Sequence, residues 1–420
     1  MRTIDYRKIS TETCRIILGV TFLFSGTVKA IDPVGGVLIM EDYFNAFGLT
    51  AFNSIALFAS INLSAIEFLL GCCIIMAVYR RLTTLCMLVF MIFMTALTLY
   101  LAIFNPVHDC GCFGQAIILT NTQTFLKNAL VLLPASIVTF VYYKKMTPVY
   151  TYKAYWFAVI FSYLFAAGFA SYNYYHLPPI DFLPYKVGVN IPEQMSIPED
   201  APQDIYHFIY EKNGKKEVFS PENAPAGDSD WTFVDRKLVA QGYVPPISFF
   251  ELKDEADRDI ADLLLEDAKG VFLLVAPFLE KASDNHIDEI NNMYDYAVEN
   301  GLLFYCVTSS SRENRELWVH NTGAEYPFLT ADDVLLKSLV RSNPGLVLLQ
   351  SGTILQKWNH NDIPPDETLA NVVEALLTPS IEKNQKENNP LIWFGCFFAL
   401  PLLLVWMYDF VRNRRKQAPR

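Results

Sequence analysis

The sequence predicts an α-helical membrane bundle, a four-helix core with two further spans, that carries an α/β domain and a small β-rich extension between its last two spans. Three observations predict it. Apolar residues make up 52% of the 420 residues and charged residues 18%, where soluble domains carry about 25% charged residues. The apolar residues gather into stretches of the length a bilayer crossing needs, about 20 residues each. The acidic, mixed remainder lies almost wholly between the fifth and sixth of these stretches. The net charge of −11 argues against a nucleic-acid partner, because phosphate binding needs a basic surface. The partner that the composition implies is the lipid bilayer.

The predicted spans run from Thr13 to Ile31, Asn53 to Tyr79, Leu82 to Phe104, Phe125 to Tyr143, Tyr155 to Tyr175 and Leu391 to Phe410. Arg2, Arg7 and Lys8 precede the first, and no small-residue cleavage site follows it, so a retained helix is expected. With the N-terminus in the cytoplasm, Arg80, Arg81, Lys144, Lys145, Lys153 and the terminal Arg412, Arg414, Arg415 and Lys416 all fall inside. The short outer loops then receive only Lys29 and Lys127. This predicts a multi-pass protein of a bacterial inner membrane with both termini cytoplasmic. The loop after span three and the segment 176–389 would lie in the periplasm. The expected domains are 1–150 (four-helix membrane domain), 151–177 (fifth helix), 178–245 (Pro-rich, partly β extension), 246–380 (α/β domain) and 381–420 (last helix and basic tail).

The loop after span three reads His108-Asp109-Cys110-Gly111-Cys112-Phe113-Gly114. Its predicted compartment tolerates disulfides. Bridging two cysteines that flank one residue demands a tight bend, which glycine permits, and strained, exposed disulfides are the oxidising kind. His108 would lower a thiol pKa when protonated, and Asp109 would oppose it. Three readings stand open: an exchanging dithiol, a structural turn, and a metal site on His108, Cys110 and Cys112. The last is one ligand short of a structural zinc, and no metal is assigned. The remaining cysteines lie in apolar stretches, where a thiol packs as a small hydrophobe.

Glu67 falls near the middle of span two, where a carboxylate is costly and usually functional. It is either a hydrogen-bonded structural contact or a proton or ligand site, with Arg15 a possible partner. Lys29, near the outer end of span one, reads as a snorkelling side chain.

Span one carries Arg15-x-x-Leu18-Gly19-x-x-Phe22-x-x-Ser25-Gly26-x-x-Lys29, followed by Asp32-Pro33. Span two carries Glu67-Phe68-Leu69-Leu70-Gly71, and the loop Cys110-Gly111-Cys112-Phe113-Gly114. Together these resemble the DoxX-like superfamily, and within it the MauE group of methylamine utilisation proteins, over roughly residues 10–145. The resemblance implies a four-helix membrane bundle linked to maturation of a disulfide-rich client, alongside a thioredoxin-like partner. It makes Cys110 and Cys112 candidates for thiol–disulfide exchange.

In the intervening segment, residues 205–210 and 217–219 flank Lys212-Asn213-Gly214-Lys215, a strong hairpin signal, and residues 231–234 offer a third strand. From Pro246 onward, strand-like runs at 271–276 and 302–307 alternate with helical patterns at 287–299 and 312–320. A hairpin over 346–358 and a helix over 367–377 close the pattern, which defines an α/β domain. Pro246 to Leu252, Asn343-Pro344-Gly345 and Ser351 to Ile354 resemble the thioredoxin fold, in the branch that includes TlpA and MauD. The resemblance implies a cis-proline at Pro344 and a peptide-binding surface around Pro344 and Gly345. It also expects a Cys-x-x-Cys after the first buried strand, where this chain has Pro277 to Ser283 and no cysteine.

No nucleotide loop, dinucleotide fingerprint or zinc-protease helix is present, and no cofactor is evident, although a quinone would be natural for a membrane redox protein. The expected role is an envelope factor supporting thiol–disulfide exchange with a periplasmic client or redox partner. Cys110 and Cys112 would exchange, His108 would tune them, and Glu67 would move a proton or hold a ligand. The alternative is a non-enzymatic scaffold of an envelope complex with a structural loop.

Overall fold

The computed structural model describes residues 5–107, 109–212, 214–225, 230–240, 242–378 and 390–417. The chain divides into two compact units. One comprises Met1–Leu183, Trp358–Ile363 and Pro379–Arg420, and the other comprises Pro184–Lys357 and Pro364–Thr378.

Among the described residues of the first unit, six helices are long and apolar enough to cross a membrane: Tyr6–Ile31, Thr50–Met76, Arg80–Phe104, Asn121–Val141, Tyr152–Tyr175 and Ile392–Arg412. They form the helical membrane region that the hydropathy predicted. Spans one and two cross so closely that side chains are excluded at the contact. A Cβ on Gly26 would stand 2.4 Å from the Phe68 nitrogen, and one on Gly71 would stand 2.6 Å from the Leu23 nitrogen. In lipid, where apolar burial gives helices little reason to associate, small residues allow this backbone approach and the dispersion contact that follows. Leu18, Phe22, Ile74 and Met91 fill the core among spans one to four. Span four is interrupted by a π turn at Asn128–Leu132 just ahead of Pro134, as expected where a residue without an N–H enters a helix.

Span six returns to span five. The Tyr150 hydroxyl donates to the Leu402 carbonyl at 3.0 Å, and the buried Asp409 carboxylate accepts from the Thr151 amide and hydroxyl at 2.7 and 2.6 Å. Phe161, Phe165, Phe394 and Phe398 stack between these two spans, with Phe68 of span two against them.

Among the described residues of this unit, the helix Pro33–Ala46 has no counterpart among the predicted elements. Pro33–Ala46 follows span one directly, with the Asp32 carboxylate accepting from the Gly35 amide at 2.8 Å and Pro33 in its first turn.

In the second unit, strands β1 (Ile205–Lys212), β2 (Lys215–Phe219) and β3 (Thr232–Ala240) form an antiparallel sheet in the order β2-β1-β3. The tip residue Asn213 lies outside the described residues. A second sheet has the order β6-β5-β4-β7-β8, with β4 (Val271–Val275), β5 (Leu303–Thr308), β6 (Phe328–Thr330), β7 (Gly345–Gln350) and β8 (Thr353–Asn359). β4 is wholly buried, parallel to β5 and antiparallel to β7, which is why it reads as an unbroken apolar run. The helices fall where the pattern placed them, at Ile287–Glu299, Arg312–Thr322 and Asp366–Leu377. Gly188 and Ile191 donate to the Ile354 and Gly352 carbonyls, so the lead-in segment covers the β8 edge.

Candidate functional site

The close crossing of spans one and two builds the first half of the site. The Lys29 ammonium lies 2.7 Å from Glu67 Oε1, and both side chains are nearly excluded from the surface. This corrects two expectations. Lys29 does not snorkel, because the Gly26 contact draws its stem into the bundle. Arg15 is not the partner of Glu67: it pairs with Glu12 at 2.6 Å and donates to the Thr147 carbonyl. The second oxygen of Glu67 accepts from the Ser25 hydroxyl at 2.7 Å, and the same hydroxyl stands 2.5 Å from the Cys112 carbonyl. An unbroken polar chain therefore runs from Lys29 through Glu67 and Ser25 to the backbone of the two-cysteine loop.

The loop supplies the second half. The Gly111 amide donates to Asp109 Oδ1 at 2.7 Å, and Gly111 has a φ of 62°. A Cβ there would also meet Ile39 Cδ1 at 2.5 Å, so glycine is needed for both backbone conformation and space. Asn121 ties the loop down, donating to Asn105 Oδ1 and the Val107 carbonyl at 2.7 and 2.8 Å. Lys127 lies 4.0 Å above the Phe113 ring.

Cys110 and Cys112 are both free thiols, Cys110 buried and Cys112 partly so. The Cys112 thiol donates to the Cys110 sulfur and, against the opposing effect of burial, holds the Cys110 pKa down at about 7. The Tyr43 hydroxyl and the charges of Lys29 and Lys127 act in the same direction. Cys112 is pushed well up, because its proton is held by Cys110 and because it is buried. The two thiols are therefore unequal, Cys110 held low and Cys112 held high. Tyr43 also lies 3.2 Å from the Cys110 carbonyl, and its own pKa is raised, chiefly by burial. Sequence patterning missed Tyr43 because it missed the helix that carries it. The available signal was Asp32-Pro33, a cap followed by a first-turn proline.

A cavity of about 300 Å³ opens beside the loop. Cys110, Gly111 and Cys112 form part of its wall, with Lys29, Tyr43, Phe44, Met94 and Leu97, and Tyr43, Met94 and Leu97 pack in one cluster with the two cysteines. His108 lies outside the described residues. No group of three or more metal-ligating side chains occurs among the described residues.

In the second unit, the Asn343–Pro344 peptide is cis, and Pro344 and Gly345 are both buried. Asn343 holds the loop after β4, donating to the Phe278 carbonyl at 2.9 Å and accepting from the Ser283 amide at 3.0 Å. In the loop after β4, Glu280 accepts from Ser310 and Asn314. Cys306 is fully buried in β5.

These features define a multi-pass membrane protein whose N-terminal bundle holds a buried ion pair beneath a two-cysteine loop. Residues 7–141 match the family model of methylamine utilisation protein MauE. The match takes in spans one to four and every residue of the membrane site, so the N-terminal membrane region is MauE-like. Residues 205–240 match DUF8463, a domain of unknown function, and this stretch coincides with the β1–β3 sheet. No curated protein matches the chain.

Proposed function

We propose that this chain is an inner-membrane maturation factor that exchanges thiols and disulfides with a periplasmic client through Cys110 and Cys112. The observation that carries this is the geometry of the loop: two free thiols on either side of Gly111, whose φ is 62°, with Tyr43 hydrogen-bonded to the Cys110 carbonyl and the Lys29–Glu67 pair next to them. The Cys110 thiolate attacks a client disulfide, and one client sulfur leaves as a thiolate and takes up a proton. Cys112 then gives up its proton and attacks Cys110, releasing the second client sulfur and leaving a Cys110–Cys112 disulfide. Two electrons pass to the client, and the reverse sequence oxidises it. Glu67 and Lys29 hold the loop through Ser25 and offer a route for the proton, and His108, adjacent in sequence, would tune the thiols.

The strand order of the larger sheet, with Asn343 hydrogen-bonded to the loop after β4, supports a thioredoxin-like domain. Without cysteines in that loop it acts as a binding module, its client surface shaped around Pro344 and Gly345. The name of the matched family ties that family to methylamine utilisation. The role assigned here is maturation of a disulfide-bearing envelope protein.

The test is the thiol state of the pair in intact cells, read by acid quench, maleimide labelling and mass spectrometry. A mixed population that moves with added oxidant or reductant is expected, and Cys110→Ser/Cys112→Ser should shift the client's thiol state. An unchanged client and phenotype in that variant would remove the exchange role. It would favour a scaffold instead, a reading supported by the burial of Cys110 and the packing of Gly111 on Ile39.

A further inference from the structure

We infer that the cavity beside the two-cysteine loop binds a lipid-soluble quinone, which takes electrons from the Cys110–Cys112 dithiol. The inference rests on the exchange role proposed above and names the electron acceptor that role needs.

Three observations point to this class of ligand. The first is size and lining: a cavity of about 300 Å³ lies at the small end of ligand sites, roughly 300–1,000 Å³. Its wall is largely aromatic and aliphatic, as one substituted ring requires. The second is the route of entry. Phe47, Leu49 and Phe93 line the cavity and are 41%, 45% and 64% exposed, and Phe93 belongs to a span. The cavity therefore reaches the apolar outer surface of a span at Phe93, with Phe47 and Leu49 beside the spans, a surface suited to a ligand that dissolves in lipid. The third is the placement of polar groups. Lys29 and Tyr43 stand in the wall beside the thiols, and the Lys29 ammonium has three donors, of which Glu67 takes one. Asp32, Ser60 and Gln115 complete the polar lining. A carbonyl oxygen on the ring would meet donors and sulfur at the same end of the site. A lipid acyl chain would use neither.

The step balances. Two S–H bonds break and one S–S bond forms between Cys110 and Cys112. The two electrons and two protons pass to the quinone, whose carbonyl oxygens become the hydroxyls of a quinol. The resulting disulfide is then the oxidant for client thiols.

The test uses the purified full chain in lipid nanodiscs, reduced and kept anaerobic. The probe is decylubiquinone, whose fully substituted ring resists direct addition of a thiol. One quinol per Cys110–Cys112 disulfide is expected, with a rate that saturates in quinone. Leu97→Trp, which fills the cavity, should slow the reaction at least tenfold while oxidation by glutathione disulfide stays within twofold. A redox-inert dimethyl ether of the same quinol should compete on the unaltered chain, which keeps the test decisive if the tryptophan variant does not fold. A dithiol that reacts with glutathione disulfide but not with quinone overturns the quinone site and leaves exchange standing. Quinone oxidation unaffected by both the ether and the tryptophan also overturns it. A dithiol inert to both oxidants would sink the exchange role itself.

Discussion

Lys29 and Glu67 illustrate how one side chain is read differently by pattern and by packing. The carboxylate stands out in any hydropathy scan, because nothing apolar surrounds it by accident. Its partner does not, because a lysine near a helix end has an ordinary explanation in snorkelling. Only the backbone contact at Gly26 turns that lysine inward. Removing one member of a buried pair leaves the other uncompensated, at about 3–5 kcal/mol. Lys29→Met is therefore expected to lower the thermal midpoint in detergent more than Glu67→Gln, which keeps hydrogen bonds for Lys29 and Ser25. Lys29→Met/Glu67→Leu should recover part of the loss; if it is no better than the sum of Lys29→Met and Glu67→Leu measured singly, the pair is not a coupled unit. At the loop, the thiolate is the reactive form, so its fraction and the alkylation rate rise with pH. With Cys110 held at about 7, the rate of iodoacetamide labelling should reach its midpoint near neutrality rather than near the ordinary thiol value of 9. Cys112→Ala removes the largest lowering contribution and should move that midpoint up, and Lys127→Met should move it up by less. A midpoint unmoved by either variant would contradict the assigned causes.

Elements differ in how much of themselves they show in sequence. The spans are legible because each is a long run of one kind of residue, and the ends predicted for them miss mainly where a polar first turn continues the helix, as at Tyr6 and Asn121. The buried strands β4, β5 and β7 are legible for the same reason. β6 is three residues long, too short to establish a period. The helix Pro33–Ala46 is apolar on most of its circumference, so no polar face marks its turn. Its contribution is nonetheless direct, since Ile39 fixes the loop and Tyr43 touches Cys110. The left-handed conformation at Gly111 costs a residue with a Cβ about 1–2 kcal/mol, and the Ile39 contact adds to it. Gly111→Ala should accordingly destabilise the loop, detectable as faster maleimide labelling of Cys110. Adding Ile39→Ala should relieve only part of the effect, because it frees space and leaves the backbone dihedral unchanged. Full rescue would show that space alone requires glycine there.

At the level of the molecule, the distribution of Lys and Arg predicts which ends of the spans face the cytoplasm. Ile118, beyond the two-cysteine loop, and Lys144, after span four, are both well exposed and should fall on opposite sides. In intact cells a membrane-impermeant maleimide should label Ile118→Cys and leave Lys144→Cys untouched until the membrane is opened; the opposite result would invert the topology. The α/β class of the second unit was legible from its alternating pattern, while the strand order was not, since pairing between distant segments leaves no local trace in sequence. The fastening of Asp409 to Thr151 carries one further consequence. Span six is held to span five, so the chain between them is a closed loop with two anchors rather than a tail on one stalk. On the proposed role, a client bound to that loop would stay tethered to the same chain as the two cysteines, at an effective concentration that can reach about the millimolar range. Its conversion is then expected to be first order, insensitive to how thinly the protein is spread in the membrane.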